Sequence, residues 1–184
     1  YYAYPGPQQK TYTPAPTGYE PFYIRHYGRH GSRYWIGSKA YDWPHFTLLK
    51  ADSLGELSPR GKELLKELAV IRDEAKNRDG ELTLLGAQQH KGIAKRMYEN
   101  FPQVFEGKTN VDAKSTIVIR CILSMENALQ QLIIENPQLQ IRHDASMHDM
   151  YYMNFEDNNL FKQRFSGKTK SIWDAFCKKY DHYD

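Results

Sequence analysis

The stretch from Phe22 to Tyr34 limits what this chain can fold into more than any other. It opens on Phe22-Tyr23-Ile24, an apolar and aromatic run of the kind that forms a buried strand, and Pro21 to Tyr27 is predicted as the first strand. It ends in Arg29-His30-Gly31-Ser32-Arg33, an imidazole flanked by two guanidiniums. The glycine after His30 lets the backbone turn sharply and come close to a ligand. Whatever the rest of the chain builds must accommodate a strand that delivers a nucleophile-capable histidine between two fixed positive charges.

Residues 1 to 19, rich in Pro, Tyr, Gln and Thr, read as an extended N-terminal arm, and 20 to 184 as one domain. Gly31 to Ser53 reads as a long irregular stretch packed through Trp35, Trp43 and Phe46. Two similar phrases follow, Gly55-Glu56-Leu57-Ser58-Pro59-Arg60-Gly61 and Gly80-Glu81-Leu82-Thr83-Leu84-Leu85-Gly86. Each sets a hydroxyl just before a helical pattern, where it can accept a bond from the first free amides, and Pro59 suits the first helical position. The first helix carries Leu64, Leu68, Ile71 and Ala75 on one face, the second Ile93, Met97 and Phe101. Ser115 to Arg120 is β-branched and predicts a strand, followed at once by a helix striped with Ile122, Met125, Leu129, Leu132 and Ile133. Leu139 to Arg142 predicts a third strand, Met150 to Phe155 a strand or packed loop, and Asn158 to Tyr180 mostly helix with a break at Ser166-Gly167. Strands alternating with helices imply an α/β fold with a mainly parallel sheet flanked by helices.

In such a sheet ligands bind at the carboxyl ends of the strands. Arg29, Arg33 and Arg120 are therefore expected to converge there, beside the positive N-terminal end of the helix that follows Arg120. Guanidiniums present paired donors to neighbouring oxygens of a phosphate and stabilise charge on a phosphoryl group in transfer. A neutral His30 can attack phosphorus through one ring nitrogen, provided the other donates to a backbone carbonyl and so fixes the tautomer.

With these phrases in place the chain resembles the histidine acid phosphatases, in particular the branch of phytases and multiple inositol polyphosphate phosphatases. The resemblance rests on Arg29-His30-Gly31-Ser32-Arg33 after a strand, on Gly80 to Gly86 opening a helix, and on Thr116, Arg120 and Ser124 at four-residue spacing. The branch is suggested by the wording Phe22 to Gly28 ahead of the motif. The resemblance implies a histidine-phosphatase-like fold, incomplete at its C-terminal side. It implies phosphomonoester hydrolysis without cofactor or metal, His30 as the phosphorylated nucleophile, and Arg29, Arg33 and Arg120 as the phosphate clamp. Inositol polyphosphates are the implied substrates, with Arg25, Lys39 and Lys114 as further candidates for binding their phosphates. An extracytoplasmic location, periplasmic or secreted, is expected on the same ground.

The family's proton donor, in a His-Asp or His-Ala-Glu dyad, lies far beyond the helix after the clamp arginine. His143-Asp144 and His148-Asp149 come too early for it, and they read as residues ending a strand and turn. The expected chain thus lacks the general acid, and surfaces left uncovered are expected to be exposed or paired with another copy. A formal charge of +3 over 184 residues gives no argument for a nucleic-acid partner, and no apolar run approaches the ~20 residues of a membrane-spanning helix. Cys121 and Cys177 have no metal-type spacing, and whether they pair stays open. His45, His90 and His182 read as surface residues, and His26 as a strand neighbour on the face of His30. Two other readings stand beside the phosphatase: a non-catalytic anion-binding module, and a phosphohistidine mutase that returns the phosphoryl group to its substrate.

Overall fold

A computed structural model describes residues 11–153 and 167–180. Its centre is a βαβ unit. Strand β1 (Asn110–Ser115) runs parallel to β2 (Gln140–Ala145), in register from Asn110 opposite Gln140 to Ser115 opposite Ala145. Helix α4 (Ile119–Glu135) connects them, as a parallel pair requires. Ahead of this unit come α1 (Lys39–Ser53), α2 (Pro59–Glu74) and α3 (Leu84–Asn100), and after it α5 (Met147–Met153) and α6 (Gly167–Lys179). Helix α3 packs along α4 and α1 along α2. The core lies where α3, α4 and the sheet meet, around Ala94, Phe105, Leu129 and Leu132, with Val111 and Ile141 closing it from the strands. Among the described residues no helix is long and apolar enough to cross a membrane.

The α/β class stands, with a sheet of two parallel strands and more helix than strand. Both capping phrases start helices as expected. Ser58 Oγ accepts from Gly61 N at 3.1 Å, and Thr83 Oγ1 accepts from Gly86 N at 3.1 Å. Leu139 to Arg142 falls within β2 apart from its first residue.

Four expectations are corrected. Pro21 to Tyr27 forms no strand; Phe22 is 91% exposed and only Ile24 reaches the core. A β-rich sequence becomes a strand only where a neighbour accepts its ladder, and the pairing near this segment is one antiparallel bridge, Arg33 with Leu82. Part of the supposed irregular stretch is helix α1, despite Pro44 inside it. The helix-breaking signal of that proline is overridden by packing on α2, where Arg72 pairs with Asp42 and lies over the Phe46 ring. The predicted strand at Ser115–Arg120 is displaced: β1 ends at Ser115, opposite the last residue of β2, and Ile119 and Arg120 already open α4. Met150 to Met153 lies in α5, which Ser146 opens by accepting from Asp149 N. Asn154, Phe155 and residues 158–166 lie outside the described residues, and α6 begins at Gly167. Cys121 and Cys177 are not bridged.

Candidate active site

His30 sits on a loop whose backbone is held by α3 and α4. Gly31 N donates to Ser124 Oγ at 3.0 Å, and that hydroxyl donates onward to Arg120 O at 2.8 Å. Ser32 N donates to Gln89 Oε1 at 2.8 Å, while Ser32 O accepts from both the amide and the hydroxyl of Thr83 at 2.9 Å. On the other side of His30, the Arg29 carbonyl accepts from His90 Nε2 at 3.1 Å. These side chains are far apart in sequence, and they meet because α3 packs on α4. The contact is close enough to exclude side chains: a Cβ on Gly31 would lie 2.6 Å from Gly86 Cα, and one on Gly86 would meet Ser32 N at 2.8 Å. Two of the three phrases that carry the family resemblance thus pack backbone against backbone. Ser124 and Arg120 bring in the third.

The His30 ring makes a 2.8 Å contact from Nδ1 to Gly31 O. A carbonyl only accepts, so Nδ1 carries the proton and Nε2 presents its lone pair. Partial burial lowers the His30 pKa below 6.5; the Gly31 contact opposes this, and the Arg120, Arg29 and Arg33 charges add to the lowering. The imidazole is therefore neutral at pH 7, the form that can act as a nucleophile. Among the described residues the charged groups that lower the His30 pKa are Arg120, Arg29 and Arg33, the three expected to form the clamp.

Arg120 Nη1 reaches Gly80 O at 3.4 Å, and Gly80 holds a φ of 71°, a turn that suits glycine. Arg33 Nη1 donates to Tyr34 O at 2.9 Å. Arg33 Nε and Arg120 Nε are buried and make no hydrogen bond among the described residues; Thr116 Oγ1, on the loop into α4, is in the same condition. Buried donors without partners are costly, about 1–3 kcal/mol each, so a group with accepting oxygens would bind here with that cost relieved.

The remaining candidates lie apart from this cluster. Arg25 is exposed on the segment before the loop. Lys39 begins α1 with its ammonium 5.9 Å from the Trp43 ring centre. Lys114, on β1, pairs with Asp149 at 3.3 Å. None of the three is among the groups acting on His30. His143 Nδ1 meets Glu126 at 2.6 Å, and Asp144 accepts from Ala145 N at the end of β2, a bond to local backbone as the sequence suggested. His26 is exposed, outside any strand, and bears on His90 rather than on His30. Two surface clefts, of about 500 Å³ beside Phe105 and Asn136 and about 330 Å³ beside Asp42 and Arg72, do not include His30.

His90 is the residue that sequence reading missed. It is buried, 6% exposed, and not a surface histidine. The signal was available: Gly86, His90 and Ala94 recur every four residues, one face of α3, and all three are buried. Gln89 lies next to that face and took no part in the reading from sequence.

No protein-family model matches the chain, and no curated protein matches it. Solved structures do. The multiple inositol polyphosphate phosphatase of Bifidobacterium longum, in complex with phosphate, superposes with a TM-score of 0.54 at 28% identity, over 70% of this chain and 26% of that one. Its complex with inositol hexasulfate gives 0.52 at 28% identity, over 70% and 27%, and its apo form 0.55 at 28%, over 70% and 26%. The chain thus spans about a quarter of the length of these proteins. Over most of its own length it is similar in fold and sequence to part of a multiple inositol polyphosphate phosphatase, which bears out the resemblance to the histidine acid phosphatases carried by its three phrases.

Proposed function

We propose that this chain carries the nucleophile and phosphate clamp of a histidine-type phosphomonoesterase acting on inositol polyphosphates. The observation that supports it most is the pairing of a neutral His30, its Nδ1–H committed to Gly31 O, with guanidinium nitrogens of Arg33 and Arg120 that are buried and unbonded. The similar Bifidobacterium longum structures, one holding phosphate and one inositol hexasulfate, support the phosphate class and the substrate class in turn. In the proposed reaction His30 Nε2 attacks phosphorus and the ester P–O bond breaks. The alkoxide leaves with a proton from a general acid, water attacks the phosphohistidine, and inorganic phosphate is released. The arginines bind the non-bridging oxygens and stabilise their charge as the phosphoryl group moves.

The proposal places the proton donor outside this site: among the described residues the charged groups acting on His30 are arginines, and general acid catalysis is worth ~10²–10⁴-fold. The proposal therefore separates two substrates. p-Nitrophenyl phosphate, whose leaving phenolate is stable without a proton, phosphorylates His30; inositol hexakisphosphate, whose alkoxide needs one, binds but turns over at least ~10²-fold more slowly. Both activities vanish in His30→Ala. Hydrolysis that survives His30→Ala overturns the proposal. The same all-arginine surroundings favour a second reading, an anion-binding module, and phosphate binding without any His30 adduct would select it. Export from the cytoplasm belongs to the phosphatase reading as a further proposal.

A further inference from the structure

Four polar backbone groups around His30 are each held by a side chain from outside the loop. Ser124 holds Gly31 N, Gln89 holds Ser32 N, Thr83 holds Ser32 O, and His90 holds Arg29 O. The last of these differs from the others. Arg29 O belongs to the peptide that joins the first clamp arginine directly to His30, so its direction sets where both side chains leave the backbone. Its partner is a buried imidazole on the core-facing side of α3, a rigid support rather than a mobile surface group. A carbonyl can only accept, so Nε2 of His90 carries the proton in this contact.

We infer that His90 is a positioning residue, which aims the His30 nucleophile and the Arg29 clamp by donating from Nε2 to the carbonyl between them. The inference rests on the phosphomonoesterase reading for its functional meaning, though its geometry does not. Displacing a reacting group by about 1 Å can cost ~10²-fold in rate, so a helix residue that fixes the peptide beside the nucleophile has leverage without touching substrate. Burial lowers the pKa of His90, with His26 and His30 adding to the effect and the Arg29 contact opposing it.

Three variants test this. His90→Leu removes the donor and keeps apolar bulk. His90→Gln keeps an amide donor at nearly the reach of Nε2, and His90→Asn keeps the amide one bond short. The readouts are the imidazole ¹⁵N spectrum of His30, the affinity for inorganic phosphate, and the rate of His30 labelling by p-nitrophenyl phosphate. His90→Leu is expected to release the His30 Nδ1–H tautomer into a mixture, to weaken phosphate binding about tenfold, and to slow labelling by about 10²-fold. His90→Gln is expected to restore all three, and His90→Asn to restore none. If His90→Leu does not fold, the Gln and Asn pair decides. A folded His90→Leu with the parent spectrum and affinity overturns the inference, as does a defect that Gln and Asn share equally. Failure of the parent chain to bind phosphate or be labelled counts against the phosphomonoesterase reading, and the tautomer comparison still decides the role of His90.

Discussion

At the scale of single residues, the site depends on where protons sit and where side chains are forbidden. His30 and His90 both have pKa values lowered below 6.5 by burial. Between those lowered values and pH 6.5 the unfolded chain binds more protons than the folded one, so stability is full above pH 6.5 and is lost as pH falls through the folded pKa values. The midpoint of urea unfolding should therefore drop from pH 7.5 to pH 5.5, and His90→Gln should flatten that dependence; a midpoint that rises on acidification contradicts the assignment. Gly86→Ala would place a methyl against the Ser32 backbone, where no flexible side chain can give way. It should destabilise the fold by about 1–3 kcal/mol and weaken phosphate binding as well, measured by denaturation and calorimetry. Arg29, His30 and Arg33 were legible in the sequence because they are adjacent. His90 was not, because a lone histidine on an amphipathic helix has no partner until the loop is laid against it.

At the scale of elements, the two capped helices separate structure from function. Ser58 only caps α2, whereas Thr83 caps α3 and also donates to Ser32 O. Ser58→Ala should cost about 1 kcal/mol and leave phosphate affinity unchanged. Thr83→Ala should cost a further ~0.5–1.5 kcal/mol and weaken phosphate binding, since it loosens the loop that carries His30. Equal effects of the two on binding would contradict the docking of α3 onto that loop. Caps were readable because they depend on neighbours in sequence. Strand ends were not: Thr116 to Val118 has the composition of a strand but runs past the last rung of the β1–β2 pair, Ser115 with Ala145. Arg120 consequently enters the site from the first turn of α4, not from a strand end, and reaches the same neighbourhood. Pro21 to Tyr27 fails as a strand for the related reason that pairing is decided by a partner and not by composition.

At the scale of the molecule, packing concentrates on one face of α4 and leaves the other bare. Leu129 and Leu132 are 5% and 4% exposed, while Ile119 and Ile134 are 71% and 68% exposed. Leu129→Ala should cost about 2–5 kcal/mol, and Ile134→Ala no more than about 0.5 kcal/mol, in equilibrium unfolding. Phe22, Tyr23 and Tyr27, before the His30 loop, are exposed as well. The order β–α–β with a parallel sheet followed from alternation along the chain; the meeting of Arg29, Arg33 and Arg120 around His30 was also expected, but from strand ends, whereas the docking of α3 on α4 brings it about. That meeting is the central claim, and where a transferred phosphoryl group is found tests it most directly. After the chain is incubated with p-nitrophenyl phosphate and quenched in alkali, peptide mass spectrometry should find a phosphoryl group on His30 Nε2. The adduct should be lost in acid and reduced at least ~10²-fold in Arg120→Ala. A phosphoryl group on any other residue, or a His30 adduct that forms equally well without Arg120, would contradict it.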